Sequence, residues 1–224
     1  MTAPTMLTHN RLQLALHSLR HATDVDARPL LLLHGLGEAS PSTVQPWVEA
    51  WPGAIHALDF TGHGASTVPS GGGYSAEILL ADADIALAHL VAASPDGRIT
   101  VVGRGLGGYI ALLLAGARAS EVHGAVIGDG PGLAGGAIGP TSQSFVSLPP
   151  RALPPDPYAL FELSRDLRPP DYATLFVRLA LDGSGLDEPI AVAAMVKPPW
   201  LAAVVDEIGV TTSASIAEAL TLYA

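Results

Sequence analysis

Short, apolar, strand-like runs alternate with helical patterns over the first 130 residues of the sequence. Five runs predict strands, the first alternating with period two and the others mostly continuous: residues 11–19, 29–33, 54–58, 99–102 and 122–127. Residues 75–93, with Ser75 as N-cap, and residues 106–117 predict helices. Strands that alternate with helices form βαβ units, so the sequence predicts an α/β fold with a doubly wound, mostly parallel sheet.

The pattern changes beyond residue 130. Residues 131–157 are rich in Gly and Pro and predict a loop excursion over the sheet. Residues 158–224 predict a mostly helical cap or C-terminal segment on the same core, within a single domain. In that segment, residues 200–208 have helical spacing, and a strand at residues 200–205 is the alternative. The remaining length is short for a cap plus two closing strands and their helices, which favours a sheet abbreviated at its C-terminal end.

Composition restricts the functional classes. The net charge is −10, with 11 basic against 21 acidic residues, so we expect neither nucleic acid nor a membrane surface as a partner. Cysteine is absent, which excludes disulfides, thiolate nucleophiles and cysteine-ligated metals. The histidines show no metal-ligand spacing, so we expect no metal and no cofactor. The first twenty residues do not have the pattern of a signal peptide, and we expect a cytoplasmic protein of undetermined oligomeric state.

Three glycine-containing segments each follow a predicted strand: LLLHGLG at residues 31–37, LDFTGHGAS at residues 58–66 and VVGRGLGGYIALLLAG at residues 101–116. Together they resemble the α/β-hydrolase family. The first resembles its oxyanion-hole loop and the second its Asp-x-x-Gly-His-Gly-x-Ser turn. The third resembles the nucleophile elbow, a strand–turn–helix of pattern Gly-x-Ser-x-Gly. The resemblance covers about residues 10–130 and implies that family's fold.

The elbow lacks its nucleophile. It reads Gly103-Arg104-Gly105-Leu106-Gly107, with glycine where the family has serine. Glycine adopts the positive φ of this turn without strain, so the geometry is expected to survive while the hydroxyl is lost. No Ser or Thr lies within the elbow to replace it.

The sequence also departs from the family at the catalytic histidine, and the acid of the triad has only one candidate. In the family, the catalytic histidine follows the last strand, whereas the last histidine here is His123. His123 begins a predicted strand, which places it at the edge of the sheet opposite to the ligand-binding edge. Asp129 follows that strand and is a possible vestigial acid, although a turn-forming role in Asp-Gly-Pro-Gly is the better interpretation.

The backbone N–H groups of the family's oxyanion hole do not depend on the missing side chains and are expected to remain. By resemblance, the N–H groups of Leu36 and Leu106 form the oxyanion hole, with Gly35 and Gly105 beside them. We expect a small anion or ligand carboxylate to bind there, with space opened above Gly105 and with Arg104 adding positive charge. For Arg104, the alternative is a solvent-facing or structurally paired side chain. For the space above Gly105, the alternative is that Leu106 and the Pro-rich residues 146–156 fill it and leave no pocket.

Two hypotheses follow, together with a third in which the catalytic histidine lies in residues missing from this sequence. The first is an α/β-hydrolase-like protein that has lost Ser-His-Asp chemistry and binds a small ligand or a partner protein. The second is an enzyme of the same superfamily with a non-serine mechanism, which recruits His34, His63, Arg104 or Asp129. In the first hypothesis, His34 and His63 instead fix loops by bonding the backbone.

Overall fold

The computed structural model describes residues 3–136 and 153–224 of the 224-residue chain. Eight strands and six α-helices occur among them, with one short 3-10 helix at Pro46–Val48. The elements in chain order are β1 (Thr5–His9), β2 (Leu12–Arg20), β3 (Leu30–Leu33), β4 (Ile55–Leu58), α1 (Ala76–Val91), β5 (Ile99–Arg104), α2 (Leu106–Ala117), β6 (Val122–Gly128), α3 (Pro157–Leu163), α4 (Pro170–Ser184), β7 (Ile190–Ala193), α5 (Pro199–Val205), β8 (Val210–Thr212) and α6 (Ile216–Leu220).

The eight strands form one sheet in the order β1-β2-β4-β3-β5-β6-β7-β8. β1 pairs with β2, and β2 with β4, in antiparallel fashion. Every other pairing is parallel, so the carboxyl ends of β3 to β8 lie along one edge. The predicted doubly wound, mostly parallel α/β sheet is confirmed.

Helices cover both faces of the sheet. The larger core lies on the face that carries α1, α2, α4 and α5, where α2 is buried almost all round. The smaller core lies on the opposite face, under the 3-10 helix and α6. Every residue between β3 and β4 is described, and this connection contains no helix longer than that 3-10 turn. Among the described residues, this connection therefore covers the face beside the carboxyl ends of β3 and β4 only lightly.

The five predicted strands correspond to β2 through β6, and the two predicted helices to α1 and α2. Ser75 caps α1 as expected, accepting a hydrogen bond from the Ile78 N–H. The expected abbreviation of the sheet is wrong, because β7 and β8 close it within residues 158–224. β7 has only 4 residues and β8 only 3, so the C-terminal segment also has room for helices.

The helical interpretation of residues 200–208 is confirmed for residues 200–205, which lie in α5, whereas residues 206–208 form a turn. Of the predicted excursion at residues 131–157, residues 137–152 lie outside the described residues. Within the described ranges, no helix is long and apolar enough to cross a membrane.

Close packing of α2 on α4 leads to a stability prediction. A Cβ on Gly116 would lie 2.6 Å from the Phe176 carbonyl oxygen, so Gly116→Ala must push the two helices apart. We expect a loss of about 1–3 kcal/mol in the free energy of unfolding, measured by urea denaturation. Ala117→Ser, at the adjacent exposed position, should change it by no more than about 0.5 kcal/mol. Equal effects of the two substitutions would contradict the close helix contact.

Candidate functional site

The turn between β5 and α2 has the geometry of a nucleophile elbow. Gly105 adopts φ 58° and ψ −121°, a backbone conformation that residues other than glycine adopt only with strain. A Cβ on Gly103 would lie 2.0 Å from the Gly107 carbonyl oxygen, and one on Gly107 would lie 2.4 Å from that of Leu33. The flanking glycines are therefore required by the close crossing of the helix and the strands, as the sequence predicts.

The two expected oxyanion-hole donors do converge, but both are already bonded. The N–H groups of Leu36 and Leu106 each donate to the Pro131 carbonyl oxygen, at 2.9 Å in both cases. The next N–H groups of α2 are also satisfied, that of Gly107 by the His34 carbonyl oxygen at 3.1 Å and that of Gly108 by Gly105 at 3.0 Å. The backbone carbonyl of Pro131 thus takes the place at which a ligand oxygen would be bound.

The expectation of open space above Gly105 is wrong. A Cβ on Gly105 would lie 2.1 Å from the Pro131 carbonyl oxygen and 2.6 Å from the carbonyl carbon of Gly130. The chain that follows β6 has moved into the volume that a serine side chain needs. Gly35 is crowded by the same segment, because its Cβ would lie 2.8 Å from Pro131 Cδ. An anion could reach the two N–H groups only by displacing Pro131.

Residues 129–133, here called the Pro131 loop, are anchored at both ends. At the start, the Asp129 carboxylate accepts hydrogen bonds from the N–H groups of Met195 and Val196, at 2.7 and 3.2 Å. At the end, the Leu133 carbonyl oxygen accepts from Trp200 Nε1–H at 2.8 Å. These contacts tie the loop to the segment after β7 and to α5.

Arg168 is the third anchor of the Pro131 loop. Its Nη1 donates to the carbonyl oxygens of Gly132 and Leu133, at 2.6 and 2.7 Å. The side chain is fully buried, and its guanidinium carbon lies 4.7 Å from the centre of the Tyr109 ring. Burial lowers the pKa of Arg168 to about 10, which leaves the group charged at neutral pH.

The vestigial triad positions are dispersed. Asp129 lies at the carboxyl end of β6, where an acid is expected, but its carboxylate accepts from the N–H groups of Met195 and Val196. It therefore joins two distant segments rather than capping its own Asp-Gly-Pro-Gly turn. His123 lies at the opposite end of the same strand, stacked edge-on against Tyr223, 6.5 Å away. Burial lowers its pKa. The structure thus separates these two residues by the length of β6.

Arg104 points away from Gly105. Side chains alternate along a strand, so Arg104 shares a face with Val102, which belongs to the smaller core. Its Nη1 donates to Glu38 Oε2 at 3.3 Å, and Glu38 Oε2 also accepts from the Gly35 N–H at 3.0 Å. The suggestion that Arg104 adds charge to the oxyanion hole is therefore wrong, and the alternative of a structurally paired arginine holds.

His34 and His63 fix loops through backbone hydrogen bonds, as expected. His34 Nε2 accepts from the Phe60 N–H at 3.2 Å, and its Nδ1 lies 2.8 Å from the Gly35 carbonyl oxygen. His63 Nε2 accepts from the Gly37 N–H at 3.2 Å, and its Nδ1 lies 3.1 Å from the Thr61 carbonyl oxygen. Burial, reinforced by the neighbouring His63, lowers the pKa of His34 to about 4, and burial also lowers that of His63. Both rings are neutral.

The Asp-x-x-Gly-His-Gly-x-Ser turn is also structural. Asp59 accepts from the N–H groups of Ser40 and Ala65, at 2.6 and 2.8 Å, and from His17 Nε2 at 2.9 Å. Burial opposes ionisation of Asp59, but these hydrogen bonds prevail and lower its pKa. The carboxylate therefore ties together the loops after β3 and β4. Among the described residues, no group of three or more metal-ligating side chains could hold a metal ion.

Sequence reasoning missed Pro131 and Glu38. Pro131 lies within a Gly-Pro-Gly turn that carries no chemical signature, and its partners are distant in the chain. Glu38 follows the oxyanion-loop motif directly, and only its pairing with Arg104 distinguishes it from other surface carboxylates.

Comparison with protein-family models gives a match over residues 30–221, to a model described as the alpha/beta hydrolase family. No curated protein matches the sequence.

Solved structures share the fold. The hypothetical protein PA1622 from Pseudomonas aeruginosa PAO1 superposes with a TM-score of 0.63 at 16% identity, over 95% of this chain and 90% of that one. Epoxide hydrolase A from Mycobacterium thermoresistibile gives a TM-score of 0.44 at 20% identity, over 56% of this chain. Est816, described as an N-acyl homoserine lactone degrading enzyme, gives 0.42 at 24% identity, over 55%. This chain covers 38% of that epoxide hydrolase and 44% of Est816, less than half of either.

The contact between Gly105 and the Pro131 loop generates a stability prediction. Gly105→Ala adds a Cβ against the Pro131 carbonyl oxygen and also strains a positive φ. We expect the free energy of unfolding to fall by roughly 2 kcal/mol or more. Gly97→Ala is the matched control, because Gly97 also has positive φ but a Cβ there would meet nothing within 4 Å. Its strain alone should cost about 1 kcal/mol. Equal losses at the two positions would show that the Pro131 carbonyl does not occupy the site.

The lowered pKa of His34 generates a pH prediction. The folded protein keeps His34 neutral down to about pH 4, whereas the unfolded chain takes up a proton near pH 6.5. The unfolded state therefore binds more protons in this window, and stability falls as the pH falls through it. Between pH 7 and pH 5, His34→Gln should remove about 2 kcal/mol of that loss, measured by urea denaturation. His21→Gln, at an exposed histidine, should leave the loss unchanged; equal pH dependence in all three proteins would refute the assignment.

Proposed function

This chain belongs to the α/β-hydrolase family, and we propose that it has lost the family's Ser-His-Asp hydrolase chemistry and serves as a binding scaffold for a small ligand or a partner protein. One observation carries this proposal: the Pro131 carbonyl oxygen accepts from both oxyanion-hole N–H groups, directly above the glycine that replaces the nucleophile. A tetrahedral intermediate needs those same two donors for its oxyanion. The catalytic position is thus filled by the protein's own backbone.

Loss of the serine and closure of the site support each other. Without a Cβ at Gly105 the Pro131 loop can approach, and with the loop in place a serine no longer fits. Reopening the site would leave the Leu36 and Leu106 N–H groups without a protein partner. An N–H that stays buried without a partner costs about 1–3 kcal/mol, so the closed arrangement is favoured unless water or a ligand oxygen replaces Pro131. The anchors at Asp129 and Arg168 add to that preference.

The competing proposal, an enzyme with a non-serine mechanism, has less support. Its candidate residues are all engaged: His34 and His63 with backbone, Asp129 with two N–H groups, and Arg104 with Glu38. The two histidines are held neutral by burial and cannot move without freeing loops. Catalytic groups need free donors or acceptors that face the substrate. His34, His63 and Asp129 are occupied by backbone hydrogen bonds, and the Arg104 side chain lies on the face of the sheet away from Gly105.

We expect the purified protein to hydrolyse p-nitrophenyl acetate and butyrate no faster than a buffer control. The physical reason is that glycine stands at the nucleophile position, no histidine follows His123 in the sequence, and both expected oxyanion-hole donors are bonded to Pro131. Residues of a triad act as a unit, so no single survivor sustains the reaction. Release of p-nitrophenol, followed with an active serine esterase as positive control, provides the measurement.

Gly105→Ser is the informative variant in the same assay. It should neither gain turnover nor react with a fluorophosphonate probe, since its hydroxyl would lack a base and would meet the Pro131 loop. Turnover by the unmodified protein that the fluorophosphonate blocks would overturn the proposal. Turnover that resists the reagent would favour the non-serine enzyme.

A further inference from the structure

A cavity lies on the face of the sheet opposite to the closed site. Its volume is about 260 Å³, just below the ~300 Å³ at which sites for drug-sized ligands begin. It is lined by residues from the ends of β3, β4 and β5 and from the connection between β3 and β4: Leu32, Leu33, His34, Glu38, Ala39, Ser40, Pro41, Gln45, Trp47, Ala57 and Arg104. In the described part of the chain, the connection between β3 and β4 covers the sheet there with no helix longer than a 3-10 turn. The cavity suits a molecule of amino-acid size.

The floor and one wall of the cavity are apolar. Leu32 and Ala57 belong to the smaller core, and the Trp47 ring packs against that core from the side. Burial of an aliphatic or aromatic side chain against such surfaces favours binding, because it removes apolar area from water. This part of the cavity therefore selects an apolar group.

The rim carries two opposite charges. Arg104 and Glu38 are 37% and 32% exposed and meet through a single contact of 3.3 Å, a pairing that contributes little in water. The other Arg104 donors and Glu38 Oε1 have no hydrogen bond that the structure describes. A guanidinium with free donors binds a carboxylate in bidentate fashion, and a free carboxylate oxygen accepts from an ammonium group. Neighbouring charges of both signs match a ligand whose carboxylate and ammonium share one carbon.

We propose that this cavity binds a zwitterionic α-amino acid with an apolar side chain. The carboxylate meets Arg104, the ammonium meets Glu38, and the side chain lies against Leu32, Ala57 and Trp47. A ligand with a carboxylate alone would face repulsion from Glu38, and one with an ammonium alone would face repulsion from Arg104. The site rests on the binding role proposed above and is independent of the loss of hydrolysis, because it shares no donor with the oxyanion hole.

Trp47 provides a direct readout. The chain has three tryptophans, and the other two are buried with indole N–H groups bonded to the Arg28 and Leu133 carbonyl oxygens. In a ¹H–¹⁵N spectrum of the full chain, L-leucine and L-phenylalanine should each shift the Trp47 indole signal saturably. The probes 3-phenylpropanoate and 2-phenylethylamine, which lack one charge each, should bind at least about tenfold more weakly.

Variants test the assignment of charges. Arg104→Gln should weaken L-phenylalanine binding about tenfold. Glu38→Gln should weaken it as well, while its amide oxygen can still accept from the Gly35 N–H. Arg11→Gln removes the same charge at an exposed turn and should leave affinity within about twofold.

Any of three results would overturn the proposal. They are no saturable shift of the Trp47 signal with either amino acid, an affinity for the singly charged probes equal to that for L-phenylalanine, or the same L-phenylalanine affinity in Arg104→Gln and Arg11→Gln. None of these would bear on the esterase assay, so failure of this site and failure of the proposed function are distinguishable.

Discussion

The interaction on which the site depends is the pair of hydrogen bonds from the Leu36 and Leu106 N–H groups to one carbonyl oxygen, that of Pro131. One donor belongs to the loop after β3 and the other to the first turn of α2, so this oxygen joins three segments at the carboxyl edge of the sheet. In a hydrolase the same donors are kept for charge that develops during the reaction. Here the Pro131 carbonyl oxygen accepts from both of them, so the loop after β3, the Pro131 loop and α2 meet at one hydrogen-bonded junction.

Small residues make this junction possible. Gly105 admits the Pro131 carbonyl, and Gly35 admits the proline ring. Gly132 has positive φ, and a Cβ there would lie 2.6 Å from Leu36 Cβ. Three separate segments thus need glycine at the places where they meet. The loss of the nucleophile is one part of a packing arrangement and does not stand as an isolated substitution.

Much of the fold could be predicted because its signals are local. Continuous apolar runs identified β3 to β6, and Ser75 marked the start of α1. β7 was not predicted, although its four residues IAVA form a continuous apolar run like that of β3. β8 has only three residues, too few to show a period. The hydrogen bonds to the Pro131 carbonyl oxygen could not be predicted, because their donors are many residues away in the chain and no local pattern encodes such a contact. The direction of Arg104, in contrast, followed from strand alternation with Val102 and could have been read from the sequence.

The closed site and the proposed amino-acid cavity lie on opposite faces of the sheet, yet one short loop joins them. Glu38 Oε2 accepts from the Gly35 N–H and from Arg104, and Gly35 in turn lies against the ring of Pro131. An ammonium group that engages Glu38 can use Oε1, which leaves the bond to Gly35 in place. Ligand binding on one face is thereby compatible with closure on the other, because the two sites draw on different oxygens of the same carboxylate.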